Sequence, residues 1–271
     1  MYDYGARNYD PAIGRWMNID PLVEHPNQID KSPYAYAWNN PVNLTDPDGR
    51  CPDCPDETYV PIADHVYEAK VGAKTSNGWE VMRVDKNDKT GYKGALYKGT
   101  YNGNTEYIYA NAGTNFTSTE DSKNNGQQII SGNSPQYKQS VGVANAESKA
   151  HPGVSFTGHS LAGGLASANA LSVEGKAVTF NATGLSNATK ENLGLSNKTA
   201  NISAYVVQGE ALSHYQGMIG LRAEGKIITL PATYVPQIPF IKADDVVRTL
   251  QRVYNHTMDV VTDKFNLYKK K

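Results

Sequence analysis

The chain has 271 residues with 26 basic and 27 acidic side chains, giving a formal net charge of −1. A balance this even, with no basic stripe along the chain, points away from nucleic acid as a partner. No stretch approaches the roughly 18 consecutive apolar residues of a membrane-crossing helix, and the length leaves room for one large domain or two smaller ones.

The opening Met1-Tyr2-Asp3-Tyr4-Gly5 has no apolar segment resembling a secretory signal, so any export is expected to rest on another device. Up to about residue 50 the chain is rich in Tyr, Asn, Pro and Asp. Turn-forming units recur there: Tyr9-Asp10-Pro11, Asp20-Pro21, Asn39-Asn40-Pro41 and Asp46-Pro47-Asp48-Gly49. Pro fixes φ while Asn, Asp and Gly supply turn conformations, which predicts short strands joined by tight turns. So few residues bury little surface on their own and normally belong to a larger β structure.

Several of these units carry a specific resemblance. Tyr2 to Trp16, Asp20-Pro21-Leu22, Ser32-Pro33-Tyr34-Ala35-Tyr36, Asn39-Asn40-Pro41-Val42-Asn43 and Asp46-Pro47-Asp48-Gly49 together resemble the end of an Rhs/YD-repeat-associated core. In that family the repeats build a large β-shell, and the core marks the junction to a variable C-terminal domain, often a toxin. Many members cut themselves just after the core, using aspartates. The resemblance therefore implies the remainder of an Rhs shell as a partner. It also implies Asp20 and Asp46 as autoproteolysis residues, with a cut near Gly49-Arg50. Plain turn chemistry is the alternative for both aspartates.

Residues 51–60 read as a linker. Its Cys51-Pro52-Asp53-Cys54 has the spacing of a redox pair or of half a zinc site; without a second pair it reads as a surface linker with two thiols, able to close a small local disulfide outside the cell. From 61 to 271 a second domain is expected. The spacing of Ile62, Val66 and Val71 predicts a helix over 62–71. Strands are predicted over 78–85 and 93–101, with Asn102-Gly103 as a hairpin turn into a strand at 106–110. The polar, Ser/Asn/Gly-rich residues 116–132 are a candidate lid. Residues 134–150 read as a helix capped by Ser134 with Pro135 in its first turn. A strand at 154–157, a helix at 161–173 and strands at 177–180 and 202–207 follow. This alternation predicts an α/β fold with a mostly parallel sheet flanked by helices, preceded by the short turn-rich β fragment.

The chemistry centres on Gly158-His159-Ser160-Leu161-Ala162, where an apolar strand meets a helix of small residues. That is the sequence form of a nucleophile elbow, which holds a serine hydroxyl exposed on a tight strand-to-helix turn. Positions two before and two after the serine must be small because the two backbones pass close there; here they are Gly158 and Ala162. A serine needs a base, and the base needs a carboxylate to orient it. In α/β-hydrolases these follow in the order Ser, Asp/Glu, His. After Ser160 the histidines are His214 and His256. Glu210 sits where strand 202–207 ends, the place where functional groups concentrate in open α/β sheets. Its rivals are Glu224, Asp244 and Asp245. His214 follows Glu210 too closely for acid and base to meet from separate loops, so the order Ser160, Glu210, His256 is expected. His159 is expected to pack or hydrogen-bond rather than act as base. The oxyanion is expected to meet the Leu161 N–H and a donor near Gly113-Thr114.

Ala112-Gly113-Thr114-Asn115, Gln136-Tyr137, Gly158-His159-Ser160-Leu161, Ala177-Val178-Thr179-Phe180-Asn181 and Tyr205-Val206-Val207-Gln208-Gly209-Glu210 together resemble the class 3-type, fungal lipase-like branch of the α/β-hydrolases. The resemblance implies that fold, with Ser160 as nucleophile, His256 as base, an acid at Glu210 and Thr114 in the oxyanion hole. It departs from the pattern at Ala162 for Gly, at Glu210 for the commoner Asp, and at Ala112 where Arg is frequent.

The function expected is a secreted serine esterase, a lipase or phospholipase acting as the effector tip of an Rhs polypeptide. No cofactor is implied, and no metal is expected, since the acidic residues are scattered and no His-x-x-x-His occurs. The partners expected are an acyl-ester lipid, a membrane surface touched transiently, and an immunity protein protecting the producer. The alternatives are a degenerate hydrolase-fold binding module, or a peptidase or acyltransferase on the same fold.

Overall fold

The computed structural model describes residues 1–4, 7–20, 23, 31–42, 56–101, 104–113, 134–218, 220–232 and 256–270. Asp46, Cys51, Cys54, Thr114 and the lid candidate at 116–132 lie outside them.

Contacts divide the chain into two units, Met1–Glu57 with Phe265–Lys271, and Thr58–Lys264. In the first, β1 (Tyr2–Asp3), β2 (Asn8–Asp10) and β3 (Arg15–Trp16) form an antiparallel sheet in sequence order. Trp16 is buried among Tyr4, Tyr9 and Tyr36, with ring centroids 5.2, 5.6 and 5.4 Å away. The Arg7 guanidinium lies 4.5 Å from the Trp16 ring centroid and pairs with Asp20 at 2.7 Å, both side chains buried. The aromatic residues that give this segment its composition thus supply its core, and Asp20 sits in an ion pair.

The second unit is built on a seven-stranded sheet. Its strands are β4 (Glu80–Asn87), β5 (Tyr92–Tyr101), β6 (Asn104–Ala112), β7 (Ser155–His159), β8 (Lys176–Phe180), β9 (Asn201–Val207) and β10 (Lys226–Leu230). They lie side by side in chain order. β4, β5 and β6 are antiparallel; β6 through β10 are parallel. Tyr101 pairs with Asn104, so the β5–β6 connection falls at Asn102-Gly103, themselves outside the described residues. Each parallel crossover carries a helix, α2 (Pro135–Ala150), α3 (Leu161–Val173), α4 (Asn187–Asn192) and α5 (Ala211–Met218) in turn, as parallel pairing requires. α1 (Asp56–His65) precedes the sheet and α6 (Met258–Lys270) follows it. This is the mostly parallel, helix-flanked sheet of an α/β fold.

α3 is buried on every side over Leu161 to Leu171. Its small residues allow close approach: a Cβ on Gly163 would meet Ala182 and one on Gly164 would meet Thr183 and Tyr137. Phe156, Leu161, Leu165, Tyr109 and Tyr137 make the core around it.

Several elements differ from the sequence expectations. The first helix begins at Asp56 and passes through Pro61, which the pattern marks as a boundary. It closes in a 3₁₀ turn at Val66–Glu68, and Val71 is exposed in a turn with Gly72 at φ +83°. Ser134 stands at the cap position of α2, but its side chain makes no capping bond. α4, α5 and the edge strand β10 carry too little periodicity to be read; β10 follows Gly225, whose missing Cβ lets the chain pass Ile202.

Candidate active site

Ser160 stands between β7 and α3 at φ 60° and ψ −126°, a conformation that non-glycine residues rarely hold. Its backbone is tied on both sides. Ser160 N–H donates to the Phe180 carbonyl at 3.0 Å, and its own carbonyl accepts from Gly163 and Thr183 at 3.0 Å each. A Cβ on Gly158 would run into the Ala162 carbonyl and come within 2.9 Å of the Ala162 Cβ. The small residue two before the serine is therefore obligatory, and its absence of a Cβ is what leaves room for Ala162.

Glu210 follows β9 and opens α5. Its carboxylate accepts from the Leu212 N–H at 2.7 Å and from the Ser213 N–H, the usual way to satisfy a helix's first N–H groups. His256, near the start of α6, places Nδ1 2.6 Å from Glu210 Oε2 and Nε2 2.9 Å from Ser160 Oγ. Glu210 is fully buried and Ser160 is 2% exposed, while the His256 side chain is 17% exposed, so the imidazole is the member open to solvent. Burial pushes the Glu210 carboxyl up, but the His256 hydrogen bond and charge and the Ser213 bonds outweigh it and hold it below its ordinary value. An ionised carboxylate only accepts, so Nδ1 carries the ring proton and Nε2 is left to accept from the Ser160 hydroxyl. That is the arrangement of an activated nucleophile.

The Leu161 N–H is in the first turn of α3, where no intrahelical carbonyl takes it. The chain leaving β6 comes close to this point: a Cβ on Gly113 would lie 3.3 Å from the His159 carbonyl and 3.7 Å from the Ala162 nitrogen. Gly113 donates a backbone hydrogen bond to the Tyr67 hydroxyl, whose pKa burial raises. Upstream, Asn111 accepts from Tyr92 at 3.2 Å and from Ser140 at 3.1 Å, which anchors the end of β6. Thr114 follows Gly113 outside the described residues.

The rival acid Glu224 is elsewhere, paired with Lys190 at 2.8 Å. Asp244 and Asp245 lie outside the described residues, as does the His214 side chain. His159 faces the back of His256: its Nε2 is 2.6 Å from the His256 carbonyl, and Asn181 Nδ2 donates to the same oxygen at 3.1 Å. Sequence reasoning gave Asn181 no role. A bond to a backbone carbonyl leaves no signature in the residue that supplies the carbonyl. Among the described residues no cluster of three His, Cys, Asp or Glu is placed to hold a metal.

The chain is similar to several known proteins over parts of its length. A relative, the extracellular phospholipase A1 of Serratia liquefaciens, is 39% identical over 98 residues, 36% of this chain and 30% of its own. Salivary gland surface protein 1 of Aedes aegypti is 34% identical over 119 residues, 42% of this chain and 3% of its own. The toxin subunit YenC2 of Yersinia entomophaga is 44% identical over 54 residues, 19% of this chain and 5% of its own. The chain thus spans under a third of each of these relatives. A solved triacylglycerol lipase from Penicillium expansum aligns over 65% of this chain and 77% of its own, at 11% identity and a TM-score of 0.44. The phospholipase-like family, described as a Tle-like phospholipase domain, matches residues 58–255. The chain belongs to that family.

Proposed function

We propose that this chain is a serine phospholipase that cleaves an acyl ester of a glycerophospholipid through Ser160, His256 and Glu210. Ser160 Oγ attacks the acyl carbonyl as His256 Nε2 takes its proton. Glu210 stabilises the imidazolium, and the oxyanion turns to the Leu161 N–H and a donor at Thr114. Collapse breaks the ester bond, and His256 returns the proton to the departing lysophospholipid hydroxyl. A water deprotonated by His256 then cleaves the acyl-enzyme to fatty acid and free Ser160. The single observation that carries this reading is the unbroken contact from Ser160 Oγ through His256 to Glu210, at 2.9 and 2.6 Å. The family match and the phospholipase A1 relative favour phospholipid over neutral lipid.

The Rhs-like opening segment and the toxin-subunit relative support a wider setting. In it the chain is an effector tip, secreted or delivered with the remainder of an Rhs shell, touching membranes transiently and restrained at home by an immunity protein. Release after Gly49 would involve Asp20 and Asp46.

The test is labelling by a fluorescent fluorophosphonate beside Ser160→Ala, followed by fatty-acid release from phosphatidylglycerol/phosphatidylethanolamine vesicles and from trioctanoin. Labelling lost with Ser160→Ala and release at least about tenfold faster from vesicles is expected. No labelling of folded protein would sink the esterase reading; labelling with release from trioctanoin alone would replace phospholipase by lipase.

A further inference from the structure

We infer that His159 is a positioning residue for His256, acting with Asn181 as a two-point grip on the His256 backbone carbonyl. The inference rests on the serine-hydrolase reading above. A general base must keep its ring within hydrogen-bond reach of both nucleophile and acid, and errors near 1 Å cost about a hundredfold in rate. The His256 ring is held at both nitrogens, but those bonds change as the proton moves during the reaction. The carbonyl grip does not change. Its two donors come from the elements that define the serine: His159 ends β7 immediately before Ser160, and Asn181 follows β8.

Each donor is itself fixed. Asn181, at φ 42°, donates to the His256 carbonyl at 3.1 Å, accepts from the Val207 N–H at 2.9 Å through Oδ1, and donates its own backbone N–H to Tyr205 at 2.8 Å. It therefore joins β9, which leads to Glu210, to the residue that carries the base. His159 is buried with its Nε2 2.6 Å from the same carbonyl, and its ring lies 4.8 Å from the His256 ring. A carbonyl oxygen only accepts, so His159 Nε2 carries the hydrogen. Burial and the neighbouring His256 bring the His159 pKa down to about 3, so the ring stays neutral and adds no charge beside the base. A lysine or arginine at 159 would donate equally well but would oppose the imidazolium that forms on His256. A neutral donor serves both needs.

The experiment compares the parent with His159→Phe, which keeps a ring and loses the donor, and His159→Gln, which keeps a neutral N–H at similar reach. Initial rates on p-nitrophenyl butyrate and fluorophosphonate labelling rates are measured with melting curves. Expected for His159→Phe is a fall of about 10- to 100-fold in kcat with KM within about twofold, and for His159→Gln a return to within about fivefold of the parent. His159→Phe at the parent rate, or His159→Gln as slow as His159→Phe, overturns the positioning role and leaves the serine-hydrolase reading standing. A parent that never labels overturns that reading and the positioning role with it. Because His159→Phe could fail to fold, ¹⁵N–¹H spectra of the histidine rings in the parent give a second arm. A neutral, Nε2-protonated His159 from about pH 5 to 8 is expected; a ring that titrates there, or that carries its proton on Nδ1, overturns the grip.

Discussion

Burying a carboxylate without partners would drive it to its neutral form, and Glu210 is buried completely. What keeps it ionised is the set of donors around it, the His256 ring on one oxygen and the first N–H groups of α5 on both. Those N–H groups also sit at the positive end of the α5 dipole, so the helix start favours the charge. The carboxyl holds its proton less tightly in the folded chain than at its ordinary value of 4.5. Its ionisation therefore favours the folded state above that value, and the advantage is lost as pH falls through the lowered folded value. Glu210→Gln is expected to lower the melting temperature at pH 7, with the gap to the parent narrowing as the pH falls below 4.5. The gap does not close, because the amide also turns an N–H towards the donors of α5. The same variant is expected to lose about a hundred- to ten-thousandfold in kcat with little change in KM, since an amide neither fixes the ring proton nor stabilises the imidazolium. Activity within tenfold of the parent would show that another carboxylate serves His256.

At the scale of elements, the turn from β7 into α3 is where one methyl group decides the outcome. Ala162 departs from the glycine common in such elbows, yet it is accommodated because Gly158 opposite it has no Cβ. The two positions are not equivalent. Gly158→Ala would drive a methyl into the Ala162 backbone carbonyl, which cannot rotate away as a flexible side chain would. It is expected to destabilise the chain by about 1–3 kcal/mol and to abolish labelling at Ser160 by displacing the turn. Ala162→Gly only removes a buried methyl and some helix propensity, costing about 1 kcal/mol, and should leave the labelling rate within about twofold. Denaturant melts and labelling of the two variants separate the cases; equal damage from both would mean that the turn tolerates no change in volume at all.

For the whole molecule, what could be read in the sequence was the strand–elbow–helix unit. There a period-2 apolar run, a serine with a small residue two positions away on each side, and a helix of small, mostly apolar residues agree with one another. The order of acid and histidine was legible because few histidines follow Ser160. Hidden from it were the features made by backbone: the pairing order of the seven strands, the carbonyl of His256 as an anchor, and the helix running through Pro61. The edge strand β10 was missed for a related reason, since an exposed Ile227 beside a buried Ile228 gives too short an alternation to stand out. The division into Met1–Glu57 with Phe265–Lys271 and Thr58–Lys264 leads to a last prediction. Ser160, Glu210, His256, Leu161 and Gly113 all belong to the second unit. That unit also has its own core in Phe156, Leu165, Tyr109 and Tyr137, and at about 200 residues it is long enough to fold without help. A chain beginning at Asp56 should therefore label at Ser160 at a rate within about twofold of the full chain, with a cooperative melt of its own. If the shortened chain folds, by far-UV circular dichroism, but does not label, the opening segment does more than sit ahead of the hydrolase: the geometry around Ser160 would depend on it. The release proposed above would then leave Ser160 unreactive. If it labels normally, the geometry around Ser160 does not depend on the opening segment, and the release proposed above would leave a chain that keeps its reactive serine.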